Sequence, residues 1–198
     1  MRPLIANTHL ANPYLHQHAL ALTAGAVLAY PTEAVWGLGC DPFNEQAVNT
    51  ILQLKNRDVG KGVILIAGHI EQVAFLLKGL NNEHLKQLRR TWPGPHTWLV
   101  PHNHRVPHFI HGHFDTVAVR VSAHPTVQAL CHRFGGPIVS TSANPQGLPE
   151  AKTQLKARSY FTHNRFGHTL HYCPGSVGKA AKPSKIQHLL TGDIIRAS

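Results

Sequence analysis

Three cations surround one glycine-bearing loop in the stretch LKNRDVGKG, namely Lys55, Arg57 and Lys61. A lysine at a helix C-terminus complements the helix dipole, which accounts for Lys55 but not for Lys61. An arginine grips two oxygens at once, so Arg57 and Lys61 beside Gly60 read as a clamp for a polyphosphate. A fourth cation, Arg120, sits inside the apolar run VAVRV. A guanidinium half-buried in a strand is costly without an anionic partner. The partner is either a ligand carboxylate or phosphate, or an internal Asp or Glu.

Neutral groups collect at two other strand ends. Ser140, Thr141 and Ser142 close the run PIVSTSA, with Asn144 before Pro145. Hydroxyls and an amide there suit a nucleotide or an amino acid, although Asn-Pro is also an ordinary turn signal. In YPTEAVWGLG, Thr32 follows the apolar run that ends at Tyr30, and Gly37 and Gly39 allow close backbone approach. Glu33 suits a base or a structural carboxylate equally and is given no role.

Several chemistries lack their signatures. Gly60-Lys61 has neither the upstream glycine nor the following hydroxyl of a P-loop. Pro42 follows Gly37-x-Gly39, so the dinucleotide fingerprint fails, and no G-x-S-x-G elbow occurs. A basic, hydroxyl-rich site without a covalent nucleophile suits electrostatic catalysis of group transfer at a phosphate.

The chain carries a formal charge of +10 and 17 histidines. Residues 151–198 hold eight Lys or Arg and only Asp193 as an acid. Such a balance favours an anionic partner, either nucleotide phosphates or RNA. The stretch HNHRVPHFIHGHF has no partnering cysteine, and Pro107 and Gly112 break any helical face, so a polar surface loop is expected rather than a metal site. Cys40, Cys131 and Cys173 are too far apart for a metal pair or a disulfide framework and read as buried, reduced thiols. No apolar run approaches the ~20 residues of a membrane span. His16 and His18 interrupt the layout of a signal peptide, so a cytoplasmic location is expected.

The elements that must position these groups alternate. Strand-like runs AVLAY, VILIA, TWLV, VAVRV and PIVSTSA are interspersed with helical patterns NEQAVNTILQLK, IEQVAFLL and HPTVQALCHRF. Asn44 reads as an N-cap, Pro125 as a first-turn residue and Gly135-Gly136 as a stop. Alternating strands and helices argue for an α/β domain, and all-apolar strands for a sheet covered on part of both faces. Ligands in such sheets bind where strands give way to loops.

Taken in order, YPTEAVWGLGCDP, LKNRDVGKG, WPGPHTWLVP, VAVRVSAHP and VSTSANPQG resemble the YrdC/Sua5 family, from about residue 15 onward. Lys55-x-Arg57 and Ser142-x-Asn144 match its K-x-R and S-x-N signatures. The resemblance implies a twisted mixed sheet with flanking helices around a large basic concave cavity, as a single domain over residues 1–198. It implies an enzyme, a nucleotidyltransferase that joins L-threonine, bicarbonate and ATP into L-threonylcarbamoyladenylate and releases pyrophosphate. That product feeds threonylcarbamoylation of adenosine 37 in tRNA through downstream transfer proteins.

By the same resemblance, Thr32, Arg120, Ser140 and Ser184 match threonine-holding positions, with Arg120 facing the carboxylate. Arg57, Lys61, Thr116, Ser142 and Arg196 match ATP-contacting ones, and Lys55, Arg57, Ser142 and Asn144 form the catalytic signatures. Mg²⁺ is expected to arrive on the ATP phosphates, with no protein metal site. Longer members carry a threonine-contacting His after the basic loop; here VILIAG occupies that region, with His69 behind it. The rival reading is a non-catalytic tRNA- or double-stranded-RNA-binding protein, against which stands the lack of any recognisable RNA-binding motif.

Overall fold

A computed structural model of the chain describes residues 13–164 and 166–197. Residues 1–12, part of the stretch expected to lack a signal-peptide layout, and Arg165 of the basic quarter lie outside the described residues.

The elements run α1 (Pro13–Thr23), β1 (Val27–Pro31), β2 (Trp36–Gly39), α2 (Glu45–Lys55), β3 (Ile64–Ala67), α3 (Ala74–Leu77), α4 (Asn82–Thr91), β4 (His96–Pro101), α5 (His108–His111), β5 (Thr116–Val121), α6 (Pro125–Phe134), β6 (Ile138–Ser142), α7 (Gln154–Phe161), β7 (Leu170–Tyr172), β8 (Lys185–His188) and β9 (Ile194–Arg196). Short 3₁₀ turns occupy Val59–Lys61 and Ile70–Val73. Among the described residues the strands form one mixed sheet in the order β7-β1-β2-β6-β3-β5-β4-β8-β9. The pairs β1·β7, β3·β5 and β4·β8 are parallel and the rest antiparallel.

Local chemistry sets the helix ends. Asn44 caps α2 by accepting the Ala47 amide, and the helix stops at Asn56, which turns left-handed at φ 52°. Pro125 opens α6 and Gly135, at φ 87°, closes it. The run IEQVAFLL, expected as one helix, divides into the 3₁₀ turn and the single-turn α3, because the Gln72 side chain accepts the Gly68 and His69 amides and tightens the start. Gly37 and Gly39, read as allowing close backbone approach, belong to β2, where Gly37 pairs with Tyr30 and Gly39 with Leu28.

Both faces of the sheet are covered in part. On one, Val27, Ala29, Trp36 and Leu38 pack with Val48, Ile51 and Leu52 of α2 and with Phe161 of α7. On the other, Leu28, Tyr30, Ile66 and Ile138 lie under Leu15 and Leu22 of α1 and Val127 and Leu130 of α6. All three cysteines are buried and unbridged. Among the described residues no helix is long and apolar enough to cross a membrane.

Candidate active site

The helical cover on the α1–α6 face stops partway along the strands, and the chemistry of that face changes where it stops. Strand side chains alternate, so residues two apart share a side. On β1, Leu28 and Tyr30 lie under the helices and Thr32 comes next on that side. On β6, Ile138 is covered and Ser140 and Ser142 follow. On β5, Arg120, Ala118 and Thr116 continue the row, with Ile66 paired to Arg120 and Ile64 to both Ala118 and Ser140. The uncovered half is the floor of a cavity of about 650 Å³. This volume is ordinary for a small-molecule site.

Thr32, Arg57, Lys61, Thr116, Arg120, Ser140, Ser142, Ser184 and Arg196 all line this cavity. Its cations Arg57, Lys61, Arg120 and Arg196 outnumber its acids, Asp115 and Glu150. Lys55 and Asn144 are not in the lining. The Lys55 ammonium is buried and donates to the carbonyls of Ser142 (2.5 Å) and Asn144 (2.6 Å), tying the end of α2 to the loop after β6. Burial, then the charge of Arg57, push Lys55 down to about 8, with Glu150 acting in the opposite direction.

Arg57 folds over the loop that follows it. Its Nη2 donates to the Gly62 carbonyl at 2.9 Å, and its Nε reaches the same oxygen at 3.3 Å. Asp58 holds the loop's turn by accepting the Gly60 amide at 2.6 Å. Behind the loop lies the histidine-rich stretch. The His113 amide donates to the Gly60 carbonyl at 3.1 Å, and the Val63 amide to the Ile110 carbonyl at 2.9 Å. Gly112 sits at φ 63°, where a Cβ would fall inside the shell of the Gly60 carbonyl and 2.8 Å from the Gly62 nitrogen.

That stretch differs from the expected surface loop. His102 is buried with its ring stacked 3.9 Å from that of His111, and His111 reaches the cavity. The expectation failed because Ile110 is a core residue, and seating it draws its neighbours inward. Among the described residues no group of three His, Cys, Asp or Glu is placed to hold a metal ion.

On the other wall, Thr32 Oγ1 donates to the Val35 carbonyl at 2.7 Å, and Ser184 Oγ lies 2.8 Å from Thr97 Oγ1. Arg196, on β9, donates to the Ser184 carbonyl. Arg120 has an internal partner, Glu33, as well as a place on the cavity wall. Burial pushes the Glu33 carboxyl up, but the Arg120 charge and the Ser122 hydroxyl outweigh it and hold the group below the usual carboxylate range. Gly37 lines the cavity; Gly39 does not, and its missing side chain makes room for the Tyr30 ring instead. His69 is exposed, pairs with Glu71 and is absent from the lining.

Sequence reasoning missed His111, Phe114, Asp115, Glu150 and Ile195, which also line the cavity. Phe114 and Asp115 immediately precede Thr116, so adjacency to a named site residue was the available signal. Glu150 offered none.

The family model described as "Telomere recombination", for Sua5, YciO and YrdC proteins, matches residues 20–197. The chain is 54% identical over 191 residues to the threonylcarbamoyl-AMP synthase of Saccharophagus degradans, covering 96% of this chain and 98% of that protein. Among solved structures, P. abyssi Sua5 complexed with L-threonine superposes with a TM-score of 0.79 at 30% identity over 88% of this chain. The chain spans half the length of that protein, 50% of it. E. coli YciO shares the fold, with a TM-score of 0.80 at 21% identity over 93% of this chain and 88% of that one. Row by row, the polar half-face and its basic rim are therefore a feature of a chain that belongs to the Sua5/YciO/YrdC family.

Proposed function

We propose that this protein is an L-threonylcarbamoyladenylate synthase, a single-domain nucleotidyltransferase that condenses L-threonine, bicarbonate and ATP. The observation that carries the reading is the meeting of four cations and a row of hydroxyls on one uncovered half-face, in a chain whose relatives bear that enzyme's name.

The threonine nitrogen, once its ammonium has lost a proton to water, attacks the carbon of CO2 and sheds a second proton, or that of bicarbonate with loss of water, to form a carbamate. A carbamate oxygen then attacks the α-phosphorus of ATP, the bond to the bridging oxygen breaks, and pyrophosphate leaves. Two anions must be held together against their repulsion, and that is the task of the cations. Arg57, Lys61 and Arg196 neutralise the triphosphate, which enters with its own Mg²⁺ as substrate. Thr116 and Ser142 supply neutral contacts to the nucleotide. Arg120 receives the threonine carboxylate, with Thr32, Ser140 and Ser184 around the rest of the amino acid. Lys55 and Asn144 act from behind the wall by fixing the end of β6, which carries Ser142, and the loop after it. Most of the acceleration then comes from orienting two bound reactants.

The product is a mixed anhydride, to be consumed by proteins that transfer the threonylcarbamoyl group to adenosine 37 of tRNA. A cytoplasmic setting and contact with tRNA or double-stranded RNA through the basic quarter belong to the same proposal. The test is pyrophosphate release from MgATP with threonine and bicarbonate each present or omitted, together with the mass of threonylcarbamoyl-AMP. Release that needs both supports the reading. Folded protein that releases none under any condition removes it.

A further inference from the structure

We infer that Glu33 is the positioning residue that aims Arg120 at the amino-acid carboxylate. This rests on the reading of Arg120 as the carboxylate receptor given above.

A guanidinium offers five N–H groups in one plane, so two fixed contacts set the direction of the rest. Arg120 has those two contacts. Its Nε donates to the Gly94 carbonyl at 3.2 Å, and its Nη2 pairs with Glu33 Oε2. Nη2 is sealed from solvent, so Nη1 is the terminal nitrogen left for the cavity that Arg120 lines.

Glu33 is itself held on every side. Its Oε1 accepts the Ser122 hydroxyl at 2.8 Å and the Ala123 amide at 3.1 Å. Ser122 Oγ in turn accepts the His124 amide at 3.1 Å. The main-chain carbonyl of Glu33 accepts the Ala180 amide at 3.0 Å, and that of Thr32 the Gly178 amide at 2.9 Å. Gly178 lies flat against Glu33, where a Cβ would come within 3.0 Å of its carbonyl oxygen. The exit of β1, the exit of β5 and the segment leading to Ser184 thus share one mount, and Thr32, Arg120 and Ser184 all hang from it.

The same geometry excludes the other role a carboxylate could take. Glu33 Oε2 is sealed from solvent, Oε1 already accepts two hydrogen bonds, and Glu33 is absent from the cavity lining, which argues against its taking a proton from the threonine ammonium. A purely structural ion pair, the bland reading, would affect every substrate equally once lost. A positioning residue affects threonine alone.

Glu33→Gln keeps the shape and the Ser122 contact but removes the charge that orients Arg120. The expected result is a rise of roughly 10- to 100-fold in KM and Kd for threonine, with the KM for ATP within about 3-fold of wild type. In an Arg120→Ala background the same change should add nothing. Threonine Kd is measured by calorimetry without ATP, so it tests Glu33 even if wild-type protein releases no pyrophosphate, an outcome that counts against the synthase reading instead. Unchanged threonine affinity in Glu33→Gln overturns the inference, as do parallel losses for threonine and ATP or a further loss on top of Arg120→Ala. If Glu33→Gln does not fold, Ser122→Ala removes one anchor and keeps the ion pair. It should raise the threonine Kd less, again with ATP unaffected.

Discussion

The Arg196 guanidinium closes on the main-chain carbonyl of Ser184, with Nη2 at 2.6 Å and Nε at 3.1 Å, and reaches the Ser184 hydroxyl at 3.3 Å. A residue assigned to the nucleotide therefore holds in place one assigned to threonine. Arg196→Ala should raise the KM of both substrates, roughly 10-fold or more for ATP and several-fold for threonine. Steady-state kinetics with each substrate varied in turn checks this. A change confined to ATP would separate the two residues.

Arg57 grips the Gly62 carbonyl, and the proposed function gives it a second task toward the triphosphate. Arg57→Ala should lower ATP-dependent turnover by roughly 100- to 1,000-fold. Arg57→Lys should recover little, because an ammonium does not span two oxygens as the planar fork does. Pyrophosphate release at saturating threonine measures both, and near-wild-type rates in either variant would contradict the assignment.

The contact of Gly112 with the Gly60 carbonyl makes the histidine-rich stretch the backing of the basic loop. Gly112→Ala forces a side chain into a left-handed backbone position and into that carbonyl. The expected cost is at least ~2 kcal/mol in urea unfolding, with a weaker hold on ATP than on threonine. Equal affinities for both substrates in a destabilised protein would show that the loop does not depend on its backing.

Lys55 predicts a pH effect. A free lysine titrates near 10.4, whereas burial brings this one to about 8. Below pH 8 both folded and unfolded chains carry the proton, and the native state bears the full desolvation cost. Between about 8 and 10.4 the unfolded chain binds more protons, so the cost fades as pH rises. The buried thiols Cys40, Cys131 (pushed up to about 12) and Cys173 act oppositely, because they ionise in this range only when unfolded. The lysine contribution is thus read as a difference. Relative to Lys55→Met, the wild type should gain up to roughly 3 kcal/mol between pH 8 and 10.4 in urea titrations. A flat difference would mean that Lys55 is not desolvated.

Elements with strong local chemistry could be read from the sequence. Asn44, Pro125 and Gly135 marked helix ends because capping and φ restriction act over a few residues. Arg120 stood out because one charge in an apolar alternation has few explanations; the structure contains the internal acid, Glu33, and also sets Arg120 on a cavity wall. β7, β8 and β9 escaped notice because their residues are half-buried or exposed, so no apolar run announces them. β2 was hidden by its glycines, whose value lies in what they let Tyr30 do across the strand pair. The mount around Glu33 was illegible for a related reason: its partners come from β5 and from the segment before β8, and only the sheet brings them together.

The strand order also bears on how the protein reaches its active form. Thr32 leaves β1 near one flank of the sheet, whereas Arg196 lies on β9 at the other edge, and the floor between them comes from β6, β3 and β5. Almost every pairing that builds the floor joins segments distant in sequence, which is the topology of slow folders. Until β8 and β9 pair onto β4, a partly folded chain lacks Ser184 and Arg196 on the wall and has at most the other half of the site. Activity should therefore appear late in refolding, in step with the ordering of that edge rather than with the earlier gain of helix.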